Sequence, residues 1–242
     1  MTRAVLVTRH PADCAELAEL LRPAGISVRS YPVLRLEDAD DPAGWQAVRR
    51  LLADPGRRSW LVIASPRAPE PLVRQARSRS ADALLDWPVA AVGAATAAAA
   101  ARAGRPPARV GQGSGPPPPR EPTPRLAPHD SVVLACGADR RLELPEALAA
   151  AGHPVHPLVV YAMKPTPVRE LPPLGPGLEA VVMTSPRAAR LYLEAVGGRP
   201  LPLPHWALGS TTRDAALALG IADCQAPVSP TIASLAEELC RI

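Results

Sequence analysis

The feature that most constrains this chain is a strand–turn–helix pattern that recurs in three matched pairs. "WLVIASPRAPEPLVRQA" (Trp60–Ala76) and "AVVMTSPRAARLYLEAV" (Ala180–Val196) each read as an apolar run, then Ser-Pro-Arg, then a helical segment. "VAAVGAATAAAAARAG" (Val89–Gly104) and "HWALGSTTRDAALALG" (His205–Gly220) share a strand, a glycine, a threonine, a helix and a closing glycine. "VLVTRHPADCAELAELLRPAG" (Val5–Gly25) matches "VVLACGADRRLELPEALAAAG" (Val132–Gly152) in the same way. The offsets are 127 residues from Gly25 to Gly152, 120 from Ser65 to Ser185, and 116 from Gly93 to Gly209. Repetition of this kind marks a duplicated unit. Strands alternating with helices predict parallel sheets covered by helices. Two copies in 242 residues predict two small α/β lobes, which the repeat alone would place in two contiguous halves.

Two extended segments, Ser27–Asp38 and Pro154–Pro165, follow the first unit of each copy and are expected to connect the lobes. Between the copies, Gly111–Asp130 is too rich in Pro and Gly for a helix or a central strand. It reads as a surface loop.

Composition narrows the class. An apolar fraction of 47% permits a sizeable core, yet aromatics are only 3% and Phe is absent, so Ala, Val and Leu must build it. No apolar run approaches the roughly 20 residues that span a bilayer. The N-terminal run Ala4–Val7 is too short for the apolar region of a signal peptide, so a cytoplasmic protein with no membrane partner is expected. Cys14, Cys136, Cys224 and Cys240 lie far apart and form no metal-binding spacing, so they are expected to be reduced. A net charge of +4 suits an anionic partner but supplies no dense nucleic-acid-binding arm.

The turns carry what chemistry is legible. Ser185-Pro186 is a helix start: Ser caps free N–H groups and Pro suits the first helical position. In the other copy Pro69 and Pro71 crowd the turn, so that helix is expected to start near Pro71, leaving Ser65 the less secure cap. Gly93 and Gly209 allow close backbone approach to a ligand, and Thr96, Thr211 and Thr212 are candidate caps or ligand donors. Helix starts after parallel strands offer unpaired N–H groups and the positive end of the helix dipole. Several such starts at one cleft would hold a ligand with several carboxylates or phosphates. No nucleophile–base pair is evident, and no P-loop or G-x-S-x-G motif occurs.

Taken in order, "WLVIASPRA", "VAAVGAATAAAAARAG", "VVYAMKP", "VVMTSPRAA", "WALGSTTRDAALALG" and "SPTIASLAEEL" resemble uroporphyrinogen-III synthase over nearly the whole chain. The resemblance implies two flavodoxin-like α/β lobes with a cleft between them. The first lobe would comprise residues 1–35 and 165–242, the second residues 38–155, with strands 31–38 and 155–165 connecting them. It implies that hydroxymethylbilane, a linear tetrapyrrole, is cyclised to uroporphyrinogen III with loss of water and inversion of the last ring, without cofactor or metal. Nothing in the sequence suggests an oligomer, so a monomer is expected. Tyr161 would assist departure of the hydroxyl, although it also reads as a connector residue with its ring packed and its hydroxyl in water. Ser65, Gly93, Thr96, Ser185, Gly209, Thr211 and Thr212 would lie near substrate. His205 would meet a carboxylate or else sit on the surface. The Pro-rich loop, and Pro145 expected to interrupt the helix after Arg140 and Arg141, depart from the family pattern. They leave open an alternative: a non-catalytic, two-lobed binder of tetrapyrroles or other polyanions with a regulatory role.

Overall fold

Short apolar runs in this chain become strands because both of their faces are covered. A computed structural model describes residues 3–54, 56, 58–111, 127, 129–140 and 142–242. Its contacts divide the chain into two compact units, Met1–Arg35 with Lys164–Ile242, and Leu36–Met163.

In the first unit, β1 (Arg3–Val7), β2 (Ile26–Ser30), β9 (Leu178–Met183), β10 (His205–Ala207) and β11 (Cys224–Gln225) form one sheet. Its order is β11-β10-β9-β1-β2, and every pair is parallel. Side chains alternate between two cores. Val5, Val7, Ala180, Val182 and Trp206 pack with Leu17 and Leu21 of α1 (Ala15–Leu21) and Leu235 and Leu239 of α8 (Ile232–Leu239). Leu6, Val181, Met183 and Ala207 face the opposite core. They join Ala188, Leu191 and Tyr192 of α6 (Pro186–Ala195) and Ala216 of α7 (Ser210–Ala218). Ala180–Met183 have no exposed surface. That is why this stretch reads as a continuous apolar run rather than an alternating one.

The second unit is built the same way. Its sheet has the order β3-β8-β7-β4-β5-β6. The strands are β3 (Leu34–Asp38), β4 (Ser59–Ile63), β5 (Val89–Ala91), β6 (Arg109–Val110), β7 (Ser131–Gly137) and β8 (Val155–Pro165). β4 to β8 pair in parallel. Two hydrogen bonds, Ala39 N–H to Val160 O and Thr166 N–H to Val33 O, run β3 antiparallel to β8. One face packs on α2 (Pro42–Leu52) and α3 (Pro69–Ser78) through Trp45, Val48, Leu72 and Ala76. The other meets Leu148 of α5 (Glu143–Ala150). α4 (Ala94–Arg102) follows β5.

These sheets do not follow the two contiguous halves of the repeat. β1 and β2, from the first copy, share a sheet with β9, β10 and β11 from the second. β7 and β8, from the second copy, share one with β4, β5 and β6 from the first. Counted by place in the repeat, the five parallel strands of each sheet have the flavodoxin-like order 2-1-3-4-5, and β3 adds an antiparallel edge to the second. The closing glycines are explained by backbone geometry. Gly25, Gly104, Gly152 and Gly220 adopt φ of 70°, 76°, 85° and 86°, left-handed values that L side chains resist.

α3 begins at Pro69, four residues after Ser65, so it starts later than its counterpart α6, which follows Ser185 directly. One expectation about helices is corrected: Pro145 does not interrupt α5 but sits in its first turn, where a proline lacks only an N–H group that has no intrahelical partner. Of Gly111–Asp130, all but Gly111, Ala127, His129 and Asp130 lies outside the described residues.

Candidate functional site

In an open parallel sheet, ligands bind beyond the carboxyl ends of the strands where the chain order reverses. In the second unit that point falls between β4 and β7, and in the first unit between β1 and β9. Most of the residues proposed from sequence sit at these ends.

In the second unit the structure brings Tyr161 and Ser65 together. The Tyr161 hydroxyl donates to Ser65 Oγ at 2.9 Å. Ser65, just beyond β4, also accepts from Arg67 N–H at 3.2 Å. Ser65 therefore caps a turn and holds a phenol; the residue before α3 is Ala68, and no side chain caps that helix. Tyr161 does not leave its hydroxyl to water alone: the residue is 9% exposed and its ring lies over Gly137 at the end of β7. Two residues after the adjacent strand β5, Gly93 is the N-cap of α4 in extended backbone (φ −171°), without a capping side chain. Thr96, at the third helical position, is buried. The amides of Ala94 and Ala95 are among those that a helix leaves without intrahelical partners.

The first unit repeats the arrangement. Ser185 Oγ accepts from Ala188 N–H at 3.1 Å and caps α6, as its sequence context predicts. Gly209 precedes α7 with φ −162°, a conformation open to any residue. It is small for another reason: a Cβ there would stand 3.1 Å from Pro230 Cβ. Thr211 is exposed and Thr212 buried in the first turn. Thr8, which sequence reasoning misses, closes β1 by donating its Oγ1 to Val182 O at 3.1 Å. The signal is present, since Thr8 follows the apolar run just as Gly137 follows its counterpart.

His205 requires correction. It is 2% exposed and neither meets solvent nor lies at the carboxyl end of its strand; it opens β10. Its Nε2 lies 3.0 Å from the Tyr192 hydroxyl, and burial holds its pKa below the usual histidine value. Its environment suits a neutral imidazole within the core better than a cation receiving a carboxylate.

Burial also raises the thiol of Cys136, which lies beneath this site in the second unit; its Sγ faces Leu158 O at 3.6 Å. A desolvated thiol of this kind is a poor nucleophile. Among the described residues no group of three or more His, Cys, Asp or Glu is placed to hold a metal ion. Among those residues, too, no helix is long and apolar enough to cross a membrane.

Comparison with known proteins adds a family. A family model described as uroporphyrinogen-III synthase HemD matches residues 15–237. The fold resembles the crystal structure of uroporphyrinogen-III synthetase from Helicobacter pylori. That match has TM-score 0.65 and 16% identity, covering 99% of this chain and 100% of that one. It also resembles a mutant uroporphyrinogen III synthase from the extreme thermophile Thermus thermophilus, with TM-score 0.53 and 19% identity, covering 99% and 98% of the two chains. No curated protein matches the sequence.

Proposed function

Because the chain belongs to the uroporphyrinogen-III synthase family, we propose that it cyclises hydroxymethylbilane to uroporphyrinogen III, with loss of water and inversion of the terminal ring. The observation that carries this reading is the family match across residues 15–237. The geometry at the carboxyl ends of the strands is consistent with it. Hydroxymethylbilane bears acetate and propionate on every ring. The helix starts at Ala94–Thr96 and Ser210–Thr212 offer backbone donors and positive dipole ends to such carboxylates.

The reaction begins when the bond between the terminal methylene carbon and its hydroxyl breaks. That oxygen leaves as water if it receives a proton, and we assign the donor to Tyr161. Substrate would replace Ser65 as the acceptor of the phenol's hydrogen bond. Ser65, 2.9 Å away, can then donate to the phenolate that remains. General-acid assistance of this kind contributes about 10²- to 10⁴-fold. The electron-poor methylene is attacked by the substituted carbon of the terminal ring, giving a spiro intermediate. That ring then detaches and rejoins in inverted orientation, and a final proton loss restores aromaticity. No side chain forms a covalent bond with substrate in this scheme; the protein's part is to hold and orient it. We further propose that the chain acts as a cytoplasmic monomer.

Genetic complementation tests the reading. Expression of the chain in a bacterium lacking its own uroporphyrinogen-III synthase is expected to restore haem synthesis. A chain that accumulates in folded form and leaves the strain deficient would overturn the assignment.

A further inference from the structure

We infer that Gly137 and a braced bulge in β8 are positioning elements for the Tyr161 hydroxyl, a role that rests on the synthase reading above. Along the β7–β8 pair, Cys136 faces Val159 but Gly137 faces Tyr161, so Val160 is an extra residue. Bulges of this kind re-aim the side chain that follows and interrupt ladder bonding. Here three backbone groups around the bulge, Val159 N–H, Val160 O and Tyr161 O, are taken up. Asp41 Oδ2 accepts from Val159 N–H at 3.0 Å, while its Oδ1 accepts from Gly44 N–H at 2.9 Å at the start of α2. Gln75 Nε2 donates to Val160 O at 2.7 Å, and its Oε1 accepts from Trp45 Nε1 at 3.2 Å. Tyr161 O accepts from Ala138 N–H at 2.9 Å. Trp45 and Gln75 are buried, so this bracing is part of the core.

The bulge turns the Tyr161 ring onto Gly137. A Cβ at residue 137 would lie 2.6 Å from Tyr161 Cζ and 2.8 Å from both Cε2 and the hydroxyl oxygen. Gly137 has no positive φ, so its backbone would accept alanine. The three atoms nearest that Cβ all belong to Tyr161. Glycine at this position therefore leaves room for the phenol, and through the phenol it sets where the proton donor stands. Displacing a reacting group by about 1 Å can cost on the order of 10²-fold in rate.

A double-mutant cycle separates positioning from general damage. Four full-length proteins are compared: wild type, Gly137→Ala, Tyr161→Phe, and the double variant. Each is assayed for kcat and KM with hydroxymethylbilane and for melting temperature. Gly137→Ala is expected to lower kcat about ten- to hundredfold with KM within about threefold. In the Tyr161→Phe background, which keeps the ring but lacks the hydroxyl, the same change is expected to alter kcat by less than about threefold. The loss in melting temperature should be equal in both backgrounds, because the ring is displaced in both. Gln75→Met, which frees the bulge without crowding the ring, provides a second cycle if the alanine variant does not fold. Wild-type kcat in Gly137→Ala, or an equal kcat loss with and without the Tyr161 hydroxyl, would overturn the inference while leaving the synthase reading intact. A wild-type protein that forms no uroporphyrinogen III would overturn both.

Discussion

Removing one oxygen atom from Tyr192 should destabilise the first unit by about 2–4 kcal/mol. Tyr192 is fully buried, and its hydroxyl has two partners. Leu201 N–H donates to it at 3.1 Å, so the phenol's own hydrogen is free to point at His205 Nε2, 3.0 Å away. The other ring nitrogen of His205 then carries its proton toward the Leu203 backbone. Tyr192→Phe keeps the ring and opens no cavity. It strands Nε2 of a residue that is 2% exposed and removes the acceptor of a half-buried amide. An unsatisfied buried acceptor costs about 1–3 kcal/mol and a lost amide bond about 0.5–1.5, so the combined effect lies near the upper part of single-substitution losses. With a urea slope of about 1–3 kcal/mol/M, the midpoint should fall by about 0.7–4 M. The two units need not unfold together, so a local probe is required. Trp206 is the only tryptophan in Met1–Arg35 and Lys164–Ile242. Fluorine NMR of 5-fluorotryptophan at that position reads the first unit alone. A midpoint unchanged within error for Tyr192→Phe would refute the buried pairing.

Because burial lowers the His205 pKa, the unfolded chain binds a proton, near pH 6.5, that the folded chain refuses. The stabilisation is therefore present above pH 6.5 and lost as pH falls from there through the folded value. The Trp206 urea midpoint should decline over that range, and His205→Gln should flatten the decline. Ser185→Ala should cost about 1 kcal/mol by removing the α6 cap, whereas Ser65→Ala should spare α3, which it does not cap. Paired urea titrations read both changes. Cys240 is exposed, while Cys14, Cys136 and Cys224 are buried, with the Cys224 thiol pushed up to about 11 by burial. One thiol per chain should react rapidly with a disulfide reagent in the native protein and four after denaturation.

Local patterns in this sequence are legible because each has a local cause. The apolar run Ala180–Met183 is a strand covered on both faces, Ser185-Pro186 starts a helix, and Gly104 and Gly220 end helices in left-handed backbone. The exchange of strands between copies is not legible from the repeat. β1 beside β9 and β1 beside β4 satisfy the same apolar pattern, and only non-local packing distinguishes them. His205 misleads for a related reason: its partner Tyr192 lies 13 residues earlier, on a different element. The contact that makes Gly137 necessary joins residues on two strands separated by a helix, so the glycine in "ACGAD" reads as an ordinary turn residue. Pro145 looks like a helix breaker in sequence, yet a first-turn proline gives up nothing the helix needs.

The most direct test of the central claim is the identity of the product. The purified chain is incubated with hydroxymethylbilane, the product is oxidised, and the uroporphyrin isomers are separated by chromatography. Without a synthase the linear tetrapyrrole closes to isomer I. Isomer III is expected as the predominant product, in an amount that rises with protein concentration. Isomer I alone, formed in the presence of a folded chain, would contradict the synthase assignment.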